Sequence, residues 1–174
     1  MVGVSRSIAL WLMLLGAANS YGAEIARSTR MTNTWRNLTP GVSNLQDVKS
    51  SLGQPRREVS SVSRGGTSQL QLLDYPTPQS SIFLQNGVVL VIVIIPRDGD
   101  GFSLLEEEWE KALGAPPKKL PSVRGKNSWV YVYADEGIAM TVLAGKVRAI
   151  ELFPPMTPEE YEARLYIRPP KFVK

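Results

Sequence analysis

The chain has no cysteine and no histidine among its 174 residues. Without cysteine there can be no disulfide, no thiolate metal ligand and no cysteine-linked lipid anchor of the bacterial type. Without histidine the chain lacks the commonest general base and the commonest metal ligand. We therefore expect no catalytic residues, no metal site and no cofactor, and the protein is predicted not to be an enzyme.

Charge gives little support for nucleic-acid binding or for acid–base catalysis. The 20 basic and 16 acidic residues give a net charge of +4, and no run is basic enough to indicate a nucleic-acid partner. The consecutive acids 106–108 would point in different directions on a helix, so they are interpreted as a solvated helix start. The other acidic candidates, Asp74, Asp135 and Glu136, show no pairing at a useful spacing.

Long hydrophobic runs are also scarce, and the first lies near the N-terminus. Arg6 precedes an apolar run from Ile8 to Ala18, which is too short to span a bilayer, and small residues follow it. This pattern predicts a secretory signal peptide over 1–20, cleaved before Tyr21; an uncleaved N-terminal anchor is the alternative. We expect a periplasmic or secreted protein whose association with membranes is at most peripheral, without a lipid anchor.

One short pattern occurs twice in the chain. Leu-Gly-Gln-Pro at 52–55 recurs as Leu-Gly-Ala-Pro at 113–116, each time after a helix-like run. Gly and Pro at these places end a helix. Further along, a tyrosine precedes a glycine at the same spacing in both copies, Tyr75 before Gly87 and Tyr133 before Gly145. The pattern predicts two copies of a helix followed by three antiparallel strands.

The predicted fold class is α+β, with two tandem helix-plus-three-stranded-meander units, each a two-layer α/β sandwich, and a short C-terminal helix. Ser43 and Ser103 are predicted to cap the first two helices, and Thr157 the last, which begins with Pro158. Strands are expected at 69–75, 81–85, 88–95, 128–133, 138–143 and 146–153. The mature chain divides into a flexible lead-in (21–38), a first repeat (39–97), a second repeat (102–155) and a C-terminal helix and tail (156–174). Trp35 in the lead-in either docks on the first repeat or stays in a loose tail.

The predicted strand from Trp129 to Tyr133 alternates aromatic rings with valines. If a helix covers the valine face, Trp129, Tyr131 and Tyr133 line an open sheet face, which Arg148 on a nearby strand borders. Tyr, Trp and Arg dominate binding hot spots, so these four residues are the candidate protein-binding site. The alternative is that the rings are core and the valines face outward.

The predicted strand from Val88 to Ile95 is apolar at every position, which indicates burial on both faces. A two-layer unit covers only one face of its sheet. The second face therefore needs cover from the other unit, the lead-in, the terminal helix or another molecule.

A capped helix ending in Leu-Gly-x-Pro, a tyrosine in the first strand and Gly-x-Val before the third resemble the BamE/SmpA/OmlA family of outer-membrane assembly lipoproteins. The residues that carry the resemblance are Thr39 to Ser43, Val48 and 52–55 in the first copy, and Trp109, 113–116, Tyr133 and 145–147 in the second. Two such units in tandem also resemble the secreted β-lactamase inhibitor proteins, whose fused concave sheet grips an enzyme. The chain departs from the lipoproteins in having no lipobox cysteine and from the inhibitors in having no disulfide.

We expect an exported, non-enzymatic protein-binding module of the bacterial cell envelope. The resemblance implies a relation to outer-membrane assembly or maintenance. The alternative is a proteinaceous inhibitor of a secreted or periplasmic enzyme such as a β-lactamase, which needs a protruding loop; 63–67 and 123–127 are the candidate loops. A protein is the expected partner in both cases, and the sequence fixes neither its identity nor the oligomeric state.

Overall fold

Eight antiparallel strands form one continuous sheet in the computed structural model, which describes residues 32–98 and 100–170. The predicted signal peptide, the start of the predicted lead-in and the last four residues lie outside the described residues. The strands are β1 (Arg57–Arg64), β2 (Thr67–Pro76), β3 (Gln79–Gln85), β4 (Val88–Ile94), β5 (Lys118–Pro121), β6 (Ser128–Tyr133), β7 (Ile138–Leu143) and β8 (Lys146–Leu152). The helices are α1 (Leu45–Leu52), α2 (Glu106–Leu113) and α3 (Pro158–Arg164). None of the helices in the described ranges is long and apolar enough to cross a membrane.

The strand order across the sheet is β1-β2-β3-β4-β8-β7-β6-β5. Strands β1 to β4 form a first half and β5 to β8 a second half. The two halves meet at the centre, where β4 and β8 form three residue pairs: Ile92 with Leu152, Val93 with Glu151 and Ile94 with Ile150. Strands β1 and β5 are consequently the two edges of the sheet.

The predicted fold class, two tandem helix-plus-three-strand units, is wrong. Each half contributes four strands, and the pairing of β4 with β8 merges them into a single sheet. The missed strands, β1 and β5, lack apolar alternation, because β1 reads REVSSVSR and β5 reads KKLP. The resemblance to the BamE/SmpA/OmlA lipoproteins and to the β-lactamase inhibitor proteins falls with this prediction, since it depended on tandem three-stranded units.

Helices α1 and α2 pack on one face of the sheet, which we call the helix face. Val48 of α1 and Trp109 of α2 are buried there. The Tyr75 hydroxyl donates to the carbonyl of Gly53 at 3.2 Å, and the Tyr133 hydroxyl donates to the carbonyl of Gly114 at 2.9 Å. In each half, the end of the helix is therefore tied to a strand by the same kind of hydrogen bond.

The first two helices begin later than the predicted caps. Asn44 rather than Ser43 caps α1, because the side-chain oxygen of Asn44 accepts two backbone N–H groups of the first turn. Helix α2 has Leu105 at its N-cap position, where no side-chain hydrogen bond is possible. Ser103 accepts a hydrogen bond from the Leu105 N–H instead, so it supports the turn before the helix rather than the helix itself.

Helix α3 packs on the opposite face of the sheet, which we call the clasp face. Its predicted start is confirmed, since Thr157 caps it in a capping box and Pro158 is its first residue. Tyr161 and Leu165 are buried against a second cluster of apolar strand residues. The sheet therefore carries helices on both faces, whereas the predicted two-layer units have a helix on one face only.

Strand β4 is buried on both faces, as its unbroken apolar sequence predicts. Val89 and Ile92 belong to the helix-face cluster, and Leu90 and Val91 belong to the clasp-face cluster. Leu90 occupies a register shift in the pairing of β3 with β4, which explains why two consecutive residues face the same side. The cover over the second face is intramolecular, and α3 is its main element.

The described part of the predicted lead-in, residues 32–38, is docked on the sheet. Trp35 and Leu38 are buried and exchange two backbone hydrogen bonds of 3.0 and 2.8 Å. The side-chain amide of Asn33 donates to the carbonyl of Phe153 at 3.1 Å. This segment therefore belongs to the fold, and of the two alternatives for Trp35 the docked one holds.

Candidate functional site

The three aromatic rings of β6 have very different exposures. Tyr131 and Tyr133 are buried, at 6% and 3% exposed, whereas Trp129 is 45% exposed. The prediction that all three rings line an open sheet face is therefore wrong for both tyrosines. Val130 and Val132, on the opposite face of the strand, are buried as well. The aromatic and valine side chains of β6 do lie on opposite faces of the strand. At Tyr131 and Tyr133, as at the two valines, those faces are both covered.

Helix α2 is the element that covers the tyrosines. The Tyr131 hydroxyl donates to the carboxylate of Glu106 in the first turn of α2, and the Tyr133 hydroxyl donates to the Gly114 carbonyl at the far end. The two tyrosines thus run along the length of the helix. Trp129 precedes Tyr131 by two residues on the same face, so it lies beyond the start of α2 and stays open to solvent.

The charged groups around Tyr131 are paired with one another. The Lys119 ammonium lies 4.1 Å from the centre of the Tyr131 ring and 3.7 Å from the Glu110 carboxylate. Burial raises the pKa of Tyr131, with a further contribution from Glu106. Burial and the negative charge of Glu110 raise the pKa of Tyr133 to about 12. Both phenols are therefore neutral near pH 7, and the cluster secures α2 on the sheet without presenting a reactive group.

Trp129 lies at one end of the second half, where other apolar side chains are also exposed. In the sheet, Ser128 pairs with Leu143, and Leu143 pairs with Lys146. Leu105 forms an isolated bridge with Lys146, so the start of α2 is at the same end as Trp129. Two further large apolar side chains are exposed there: Leu105 at 41% and Val123, in the loop before β6, at 48%.

Exposed basic residues lie at the same end of the second half as these apolar side chains. Arg124 and Lys126 lie in the exposed loop between β5 and β6, and Lys146 begins β8. We call the following six residues the tip surface: Leu105, Val123, Arg124, Lys126, Trp129 and Lys146. An apolar centre with a charged border is the usual arrangement of a protein-binding patch.

The first half of the sheet shows that the fold does not need a tryptophan at this place. Trp129 lies four residues before Tyr133, whose hydroxyl is bound to the end of α2. The residue four before Tyr75, which makes the corresponding bond to the end of α1, is Gln71. Gln71 is half-buried and donates to the Glu58 carboxylate at 2.6 Å. A polar side chain occupies the position in the first half, so the fold does not require the exposed ring in the second half.

Arg148, the fourth predicted site residue, does not border the aromatic row. It is exposed on β8, and β7 lies between β8 and the strand of Trp129. With a strand spacing of about 5 Å, the two backbones are about 10 Å apart. Arg148 also falls in a register shift between β7 and β8. Leu105 was not among the predicted site residues, because an apolar residue before a helix carries no sequence signal of exposure. Val123 was predicted only as part of the candidate loop 123–127.

The two predicted protruding loops have different surroundings. In the loop 63–67, Arg64 and Thr67 are buried, and the turn is closed against α3. This loop does not protrude, which removes it as a candidate for entry into an enzyme cleft. The loop 123–127 is exposed throughout and adjoins Trp129. Within the described ranges, no group of three or more acidic side chains could hold a metal ion. The expectation that the chain has no cofactor and is not an enzyme stays a prediction.

No protein-family model matches the chain, and no curated protein matches it. Among solved structures, it is similar to a DUF4309 family protein from Bacillus subtilis, at 19% identity and a TM-score of 0.47 over 68% of this chain and 82% of that one. It is also similar to an extracellular protein containing an SCP domain from Bacillus anthracis, at 10% identity and a TM-score of 0.47 over 88% and 58%. A third is a cysteine-rich secretory protein from Staphylococcus aureus, at 13% identity and a TM-score of 0.43 over 74% and 52%.

The chain spans little more than half the length of the last two structures. At these scores the likeness supports no shared activity, site or partner.

Proposed function

We propose that the chain is an exported, non-enzymatic binding module of the bacterial cell envelope that binds a protein partner through the tip surface. The observation that carries the proposal is the exposed ring of Trp129, at the end of the second half where Leu105 and Val123 are also exposed. Tryptophan is the residue type most enriched in binding hot spots, and a hot spot needs apolar neighbours that exclude water.

The charges around the tip surface support a protein partner. Exposed residues of both signs lie at this end of the second half: the bases Arg124, Lys126 and Lys146, and the acids Glu107 and Glu108 at the start of α2. A surface of mixed sign would be repelled in part by a uniformly anionic lipid or nucleic-acid surface. Such a surface suits a protein that presents charges of both signs, because complementary charges fix the orientation of the partners.

Export is supported by the N-terminal sequence rather than by the fold. Arg6 and the apolar run that follows it have the pattern of a secretory signal peptide. N-terminal sequencing of the protein from its native host would test this, with a mature start at or within a few residues of Tyr21 as the expected result. Intact Met1 on cytoplasmic protein would contradict export.

Capture from an envelope extract, with the mature chain immobilised, tests the binding site. Trp129→Ala should weaken capture by about 30-fold, which corresponds to about 2 kcal/mol for a lost hot spot. The matched control is Val42→Ala, since Val42 is 76% exposed in the first half, outside the tip surface. Both variants should melt like the parent chain. Equal capture by the two variants would remove the tip surface from the proposal.

The exposed loop 123–127 favours one particular form of this function, inhibition of a secreted or periplasmic enzyme. In that form the loop would enter the enzyme's cleft beside the Trp129 anchor. If the captured protein is an enzyme, Arg124→Ala should lower inhibition without lowering the melting temperature. Full inhibition by that variant and by a Val123→Ala variant would contradict entry of the loop.

A further inference from the structure

Helix α3 contacts the sheet near both of its edges. At the turn between β1 and β2, the N–H of Gly66 and the hydroxyl of Thr67 both donate to the carbonyl of Arg164, the last residue of α3, each at 3.0 Å. On the other side, Lys118 of edge strand β5 lies 2.7 Å from the Glu162 carboxylate. The helix therefore bridges two parts of the sheet that are at opposite ends of the strand order.

The turn between β1 and β2 fits the helix because it has no side chains. A Cβ atom added to Gly66 would lie 2.1 Å from the carbonyl oxygen of Ala163, and one added to Gly65 would lie 2.7 Å from that of Arg164. Any larger residue would separate the helix from the turn. The turn between β1 and β2 is thus a binding site for the last turn of a helix, and it contacts the backbone of that helix.

A buried ion pair lies beneath the helix. Arg64 of β1 approaches Glu151 of β8 to 2.5 Å, and the Tyr161 hydroxyl donates to the same carboxylate at 3.0 Å. Burial raises the pKa of the Tyr161 hydroxyl well above its usual range, so it remains a donor. The polar end of this tyrosine is therefore fixed by residues from both halves of the sheet.

Three apolar or aromatic side chains anchor the segment: Tyr161, Leu165 and Tyr166, the last with its hydroxyl bound to the carbonyl of Pro121. They pack among buried residues contributed by both halves of the sheet. We call this set the groove, and it consists of Leu70, Leu90, Val91, Leu120, Val130 and Val132. The groove and the turn together form a complete receptor for one short amphipathic helix.

The linker between β8 and α3 is short and contains two prolines, Pro154 and Pro155. Prolines donate no backbone hydrogen bond, and the two backbone bonds described in the linker are from Phe153 to the carbonyl of Gly137, at 2.8 Å, and from Met156 to the carbonyl of Ala134, at 3.1 Å. The contacts of α3 with the sheet and with the turn all join residues that follow the linker to residues that precede the linker. The same segment of a second copy would make all of these contacts equally well.

We propose that the groove is a helix-binding site whose ligand is the segment 156–168, and that two copies of the chain can exchange this segment. With seven residues, α3 is too short to be helical in isolation, so the segment folds when it enters the groove. Inside one chain, a short linker keeps the segment at a millimolar effective concentration. At low protein concentration the chain's own segment therefore keeps the segment of a second copy out of the groove. Weakening the contacts of the chain's own segment opens the groove to the segment of the second copy.

A labelled peptide of residues 156–170 tests the proposal when titrated into the full chain. The receptor is a full-chain variant with Tyr161→Ala and Leu165→Ala, whose own segment has lost two anchors. We expect saturable binding at least about tenfold tighter than to the unsubstituted chain, whose own segment competes. A peptide with the same two substitutions is the matched control and should not bind. Adding Gly66→Val to the receptor should abolish binding, because the binding site for the last turn of the helix is blocked.

Both peptides are compared at concentrations up to about 100 µM. The proposal is overturned if the folded receptor variant binds the unsubstituted peptide no better than the control peptide in this range. If the receptor variant does not fold, hydrogen exchange of the unsubstituted chain decides. The amides of α3 should then exchange by local opening while those of β4 stay protected. If the amides of α3 and β4 exchange only through the same global unfolding, the segment does not detach from the folded sheet. This result would overturn the proposal too.

Discussion

Neutralising Glu151 should be among the most damaging single changes in this protein. In Glu151→Gln the guanidinium of Arg64 would keep its charge but lose the carboxylate 2.5 Å away. The two side chains are only 6% and 13% exposed, and among the described atoms the Arg64 Nε already has no hydrogen-bond partner. An uncompensated buried charge typically costs about 3–5 kcal/mol, and we expect a loss of this size.

A surface pair in the same sheet supplies the matched control. Lys49 and Glu58 are 3.3 Å apart, with side chains 27% and 40% exposed. Because water screens such a pair, Glu58→Gln should cost no more than about 1 kcal/mol. Both variants would be measured by urea unfolding followed by tryptophan fluorescence, with comparison of midpoints at an unchanged slope.

Removing the whole network should be much less harmful than breaking it. A triple variant, Arg64→Leu, Glu151→Leu and Tyr161→Phe, leaves no buried charge and no unpaired hydroxyl. Replacement of a buried ion pair by apolar residues is often neutral or stabilising, so the triple variant should be more stable than Glu151→Gln alone. A Glu151→Gln loss equal to that of Glu58→Gln would refute the reasoning, as would a triple variant less stable than the single one.

Three further outcomes are expected. Trp109→Ala should lower the free energy of unfolding in urea by about 3–5 kcal/mol, because the ring is 1% exposed and its N–H donates to the carbonyl of Ser103 at 2.8 Å. A decrease of less than about 1 kcal/mol would contradict the place of Trp109 in the core. Trp129→Phe should leave the melting temperature unchanged and remove most acrylamide-quenchable fluorescence, since the other described tryptophans are buried; undiminished quenching would show that the ring is covered. In an ultraviolet titration, Tyr133 should ionise at about pH 12. Because this pKa is raised above the unfolded value of about 10, its contribution to stability is full below about pH 10 and lost towards pH 12; Tyr133→Phe should abolish that loss, and an unaltered alkaline stability curve in this variant would contradict it.

The parts of the fold that could be predicted from the sequence are those with strong local signals. Gly53 and Gly114 mark the helix ends, and the turn at 86–87 marks the hairpin between β3 and β4. The unbroken apolar run of β4 gave the correct burial on both faces. The edge strands were missed because an edge of a sheet is blunted by charged residues and proline, as Lys119 and Pro121 do in β5.

The candidate site could be predicted only in part, for a related reason. Alternation shows which side chains share a face, and it correctly separates Trp129, Tyr131 and Tyr133 from the two valines. It does not show what covers each face or where a covering helix begins. The exposure of Trp129 follows from the start of α2 at Glu106, and the burial of the valines follows from the position of α3. Both are tertiary facts with no local sequence signal.

The central position of β4 has a consequence for how the chain reaches its folded state. Ile92 finds its partner Leu152 only after about 60 further residues have been made, and the helix that covers the clasp face comes later still. Until then, one edge and one face of an entirely apolar strand have no cover, which is the condition that favours intermolecular strand pairing. Folding should accordingly be slow for a chain of this size, and chains that end before α3 should aggregate.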